Sequence, residues 1–213
     1  MGAETSEEQA IRAMWAEAPG IDAHWESLCG KGVLGRARVA DLLKQDKRSA
    51  FAVARQIEHP WYRCQALSSV AEASPSQSEE LLEEAFEAAY AQSELNRVAS
   101  VARWPLTLLT KLNPIRAATH EAKLLHIISQ ESHGLRRLDG LCAILIAVAA
   151  VESLRLTALE AFLATAKVSF GWRTERLVDT AACVLVAVDR EGAQALLASR
   201  PFTRYTKRSR ALL

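Results

Sequence analysis

Five arginines recur beside predicted helix starts, and this recurrence limits the fold more than any other feature of the chain. Arg63, Arg97, Arg137, Arg173 and Arg204 are separated by 34, 40, 36 and 31 residues. In the first three cases the residue three places on is small: Ala66, Ser100 and Gly140. In the first four the residue four places on is apolar: Leu67, Val101, Leu141 and Leu177. A period of this size is that of a two-helix unit. One such unit cannot bury its own apolar face, so its neighbours must stack against it and share one continuous core.

The apolar pattern agrees with helices throughout. Ala50, Val53, Ala54 and Ile57 follow the i, i+3, i+4, i+7 spacing of one helix face, as do Leu82, Ala85, Phe86 and Ala89. Leu156, Leu159, Leu163 and Ala166 form a third stripe, and Leu177, Ala181, Val184 and Val188 a fourth. No Asn-Gly or Asp-Gly turn separates alternating strands. Breakers stand at His59-Pro60, Ser74-Pro75-Ser76, Asn113-Pro114, Ser132-His133-Gly134, Gly171 and Arg200-Pro201. They predict helices over 6–18, 21–29, 33–44, 46–58, 60–73, 77–92, 94–112, 114–131, 134–151, 153–169, 172–188, 190–199 and 202–211. Pro105 falls inside one of these and predicts a bend or break after Arg103 or Trp104. Half of the 213 residues are apolar, with only nine glycines and six prolines, which excludes a disordered or collagenous chain.

The turn Ile57-Glu58-His59-Pro60-Trp61-Tyr62-Arg63, with Ala66 and Leu67 after it, resembles the inter-helix turn of HEAT repeats. Partial matches follow at Asn96-Arg97, Arg136-Arg137 and Trp172-Arg173, whereas the acidic-proline pair is missing from the later units. The tryptophan, glycine and tyrosine signature of tetratricopeptide repeats is not found at its offsets. The resemblance implies an all-α fold, a right-handed α-solenoid of about five antiparallel helix pairs. Residues 46–213 would form the array, closed by a basic last pair, and residues 1–45 a cap or a degenerate repeat.

Such scaffolds imply recognition of a partner, because stacked repeats create an extended surface. The candidates on it are Trp61, Arg63, Arg97, Trp104, Arg137, Trp172, Arg173 and Arg176: arginine forks suit carboxylates and phosphates, and aromatic residues are enriched at interfaces. A second role stays open for the arginines, in which each bonds the carbonyls of its own turn. The leading expectation is a non-enzymatic module that binds a protein or peptide along its concave face. Rival expectations are a nucleic-acid-binding protein like the HEAT-like DNA glycosylases, and a HEAT-like lyase. The formal charge of +1 argues against bulk attraction to nucleic acid. Charge is nonetheless polarised, with Glu79, Glu80, Glu83, Glu84 and Glu87 on one helix and Arg200, Arg204, Lys207, Arg208 and Arg210 near the end, which permits a homodimer.

No residue set announces catalysis, a metal or a cofactor. His120-Glu121 begins like a zinc-protease motif, but Leu124 stands where the second histidine belongs. Gly30-Lys31-Gly32 lacks the spacer of a phosphate loop. Cys29, Cys64, Cys142 and Cys183 are widely spread, as expected of reduced, mostly buried thiols. The acidic opening is unlike a signal peptide, and the apolar run Leu141 to Val151 is too short to cross a membrane. A bacterial, cytoplasmic protein without membrane contact is the expectation.

Overall fold

The computed structural model describes residues 23–200 and 203–213, and the chain folds there as an all-α protein. The helix expected over 6–18, the start of the one expected at 21–29, and Pro201 lie outside the described residues. Contacts divide the chain into two compact units, Met1–Ala88 and Ala89–Leu213.

The first unit holds α1 (Ala23–Leu42), α2 (Lys47–Gln56), α3 (Pro60–Ala73) and most of α4 (Ser78–Tyr90). Helix α1 packs on both α2 and α3, which also pack on each other. Local chemistry sets the starts. The Asp46 carboxylate caps α2 by accepting from the N–H groups of Arg48 and Ser49. At α3, His59 Nδ1 accepts from Trp61 N–H at 3.2 Å, and Pro60 occupies the first turn, where its missing donor costs nothing. Arg55 grips Glu84 of α4 with two guanidinium nitrogens.

The gap expected between helices over 21–29 and 33–44 is not found. Gly30, Lys31 and Gly32 do not end a helix, and α1 runs through them to Leu42. The reason is packing rather than backbone freedom. A Cβ at Gly32 would stand 2.4 Å from Tyr62 Cδ2 and 3.0 Å from Tyr62 Cγ, and one at Gly35 would stand 2.9 Å from Ile57 Cγ1. The glycines let α1 approach its neighbours at close range. Gly32→Ala is therefore expected to destabilise the protein by about 1–3 kcal/mol, because overpacking outweighs the better helix propensity of alanine. A urea midpoint that rises in this variant would refute the close approach.

The second unit continues with α5 (Leu95–Leu112), α6 (Pro114–Ser129), α7 (Gly134–Val148), α8 (Glu152–Val168), α9 (Trp172–Val186), α10 (Arg190–Ala198) and α11 (Lys207–Leu212). Helix α5 packs on α6 and α7, α7 on α8 and α9, and α9 on α10 and α11. The core is lined by Leu106, Leu109, Leu124, Ile128, Leu138, Ile144, Leu145, Phe162 and Leu185, all essentially inaccessible. Gly140 meets Ile128 and Ala99, the close helix approach that the recurrent small residue predicts.

Three further expectations need correction. Pro105 does not interrupt α5, which stays helical from Leu95 to Leu112. Its ring is buried, so tertiary packing carries the helix across the missing donor. The stripe expected on α8 holds at Leu159 and Ala166, but Leu156 is 53% exposed and Leu163 half-buried, and Leu154, Ala158 and Phe162 complete the inward face. On α9 the inward residues are Thr174, Val178, Ala181, Ala182 and Leu185, so Leu177 leaves the core stripe and Val188 is exposed.

Candidate partner-binding groove

Helices α5, α7 and α9 line one groove of about 470 Å³. Helix α5 contributes Asn96; α7 contributes Leu135, Arg136 and Asp139; and α9 contributes Trp172, Arg173, Arg176, Leu177 and Thr180. The local sequence explains this placement. Gly171 precedes α9 with φ +110 and ψ 167, a backbone region that only glycine enters cheaply, and so allows the sharp entry that presents Trp172 at the helix start. His133 caps α7 through Nδ1, which accepts from Arg136 N–H at 3.4 Å. The partial positive charges of the helix starts add to the guanidinium groups.

Trp172 is 49% exposed. The guanidinium carbons of Arg173 and Arg176 lie 5.2 and 5.9 Å from its ring centroid, within cation–π range. The ring is also tilted against Tyr205 at 6.3 Å between centroids. Leu135 and Leu177 supply apolar lining. Asp139 accepts from Ser100 Oγ at 3.2 Å, which fixes one carboxylate oxygen on α5. Among the described residues, no carboxylate lies within ion-pair range of Arg136, Arg173 or Arg176. The Asn96 Oδ1 atom is buried without a hydrogen-bond partner, an unusual condition for a polar atom.

The groove thus brings together Trp172, Arg173 and Arg176 of the expected residues. The others have separate surroundings. Arg137 lies at the α7 start, where its Nε donates to Glu131 O at 2.8 Å. Arg97 pairs with Glu94 at 3.2 Å in the first turn of α5. Trp104 is 42% exposed farther along α5, with Arg103 6.0 Å from its ring. In the first unit, Trp61 is half-buried and Arg63 donates to Ile57 O at 3.5 Å.

Arg63 and Arg137 share a geometry: each stands four residues after a capping histidine and reaches the carbonyl six residues back. Arg155 also reaches the carbonyl six residues back, donating to Ala149 O at 2.9 Å, but the residue four before it is Val151, which makes no side-chain cap. Arg173 stands only two residues after its cap and takes no turn carbonyl. Counting from the caps separates turn-binding arginines from groove arginines; counting from arginine to arginine does not. Arg136 belongs to a partial turn match, but that spacing does not mark it as a groove residue, and no sequence signal marks Asp139.

The groove offers recognition groups rather than a reactive pair. Cys142 lies near it, its Sγ 3.7 Å from Leu177 O. Burial, then the Asp139 carboxylate, pushes its thiol up to about 12, so it is protonated and poorly nucleophilic at neutral pH. Cys64 is buried and its thiol is also raised by burial; Cys183 is partly exposed. The side chain of Cys29 lies outside the described residues. Among the described residues no three His, Cys, Asp or Glu side chains cluster as a metal site requires. No helix among them is long and apolar enough to cross a membrane. Compared with protein-family profiles, curated proteins and solved structures, the chain matches none of them.

Proposed function

We propose that this chain is a HEAT-like helical-repeat module that binds a peptide segment of a partner protein across α5, α7 and α9. The repeat reading is supported by the contacts of alternate helices: α1 on α3 in the first unit, and α5 on α7, α7 on α9 and α9 on α11 in the second. It is supported again by Arg63 and Arg137, each of which binds the carbonyl six residues back, at the α2–α3 turn and the α6–α7 turn.

The observation that carries the binding reading is Trp172. A half-exposed indole costs free energy in water, and here it lines a groove among three guanidinium groups that have no carboxylate partner among the described residues. Aromatic and arginine anchors in a recess are the usual centres of binding energy at protein interfaces. Binding to an immobilised array of mixed-sequence peptides tests it. Trp172→Ala is expected to weaken the captured peptides about tenfold or more, the cost of a central aromatic anchor. Equal capture by the variant, or no capture by the native chain, would end the proposal.

A further inference from the structure

We infer that the groove takes an acidic peptide whose carboxylates bind Arg136, Arg173 and Arg176 while a neighbouring apolar side chain covers Trp172. The inference rests on the peptide-binding reading above and adds the chemistry of the ligand. Three guanidinium groups face one carboxylate in the groove, and that carboxylate already accepts from Ser100. Each guanidinium presents donors in a planar fork that suits a carboxylate's two oxygens. Arg173 and Arg176 are held near the Trp172 face, so part of their ordering cost is met before a ligand arrives. The same groove is lined by the exposed indole and the side chains of Leu135 and Leu177. The recess therefore asks for both acidic and apolar groups.

Asp139 decides between a peptide and a nucleic acid. A phosphate backbone carries its charge in an unbroken row and would bring anions toward this carboxylate. A peptide places its carboxylates singly and has backbone N–H groups that an aspartate can accept. The mixture of donors, acceptor and apolar wall matches the peptide.

The test uses the full chain and a fluorescein-labelled peptide of about twelve residues with a central Glu-Glu-Leu-Glu, read by fluorescence polarisation. Binding is expected to weaken about tenfold in Arg176→Gln and in Arg136→Gln, each of which removes one charged hydrogen-bonding partner. It is also expected to weaken as salt rises from about 50 to about 300 mM, because partly exposed ion pairs are screened. Both arginines are exposed, so an unchanged unfolding midpoint verifies the fold of each variant. A matched Gln-Gln-Leu-Gln peptide that binds as tightly as the acidic one overturns the acidic assignment. So does an array on which Trp172-dependent peptides show no acidic bias, while leaving the peptide-binding reading in place. A short DNA duplex that displaces the peptide and binds more tightly, again through Arg136 and Arg176, overturns it in favour of nucleic acid. Failure of every peptide, acidic or not, removes both proposals.

Discussion

Arg200→Met is expected to destabilise the protein by about 3–5 kcal/mol, because it strands the buried Glu175 carboxylate. The arginine is 7% exposed and Glu175 6%. Its Nη2 and Nε both reach Glu175 Oε1, the latter at 3.2 Å. The same guanidinium donates to Ala166 O at 2.7 Å and to Ser169 O at 3.1 Å. One side chain thus ties the end of α8, the turn after it and the first turn of α9. Methionine fills similar space but supplies no donor. The loss leaves a buried anion and two backbone carbonyls seeking partners.

A drop of that size corresponds to about 6–20 °C in Tm for a chain of this length. The double variant Arg200→Met, Glu175→Leu should recover much of the loss, since an apolar pair avoids the desolvation that a lone charge suffers. Thermal and urea unfolding of the two single variants and the double variant measure the coupling directly. A single variant within about 1 kcal/mol of the native chain contradicts the buried pair, since breaking one costs several times that. Because Arg200 also holds the turn that leads to Trp172, Arg200→Met should weaken groove binding as well. That effect should disappear when the turn is restored and not when only net charge is restored.

The residues that were easy to read carry their physics locally. Pro60 at a first turn with His59 before it, and Asn113 followed by Pro114, mark α3 and α6 because capping needs only adjacent residues. The arginine recurrence, with a small residue three places on, anticipates the contact between Gly140, Ile128 and Ala99, since small residues at that place serve close packing. What could not be read depends on partners far along the chain. Gly32 resembles a breaker until Tyr62 is seen against it. Leu177 resembles a core residue, and only the phase set by Val178 and Leu185 turns it toward the groove. Arg173 resembles Arg137 in spacing, yet the turn before α9 is built differently and leaves its guanidinium on the groove. Arg136, Asp139 and Asn96 become a site only when α5, α7 and α9 are side by side.

Glu121 shows the same limit and leads to the second large effect. It occupies the inward stripe of α6 with Ala117, Leu124 and Ile128, and is only 3% exposed. Its Oε1 has no hydrogen-bond partner, and burial pushes the carboxyl up to about 7 from an ordinary value of 4.5. Between these two values the native state keeps a proton that the unfolded chain has released. Stability therefore falls as pH rises from about 4.5 to about 7, and the full penalty persists above that window. Glu121→Gln keeps the shape and removes the charge. It is expected to raise stability at pH 8 by about 1–3 kcal/mol, the upper end set by 1.36 kcal/mol per unit of displacement and the lower by water penetration. At pH 4, where native and unfolded carboxyls are both largely protonated, the two chains should differ little. Urea unfolding across pH 4 to 8 separates the cases: a native-minus-variant difference that grows through the window supports a carboxyl forced into the core. A difference independent of pH would mean that Glu121 has found a compensating charge.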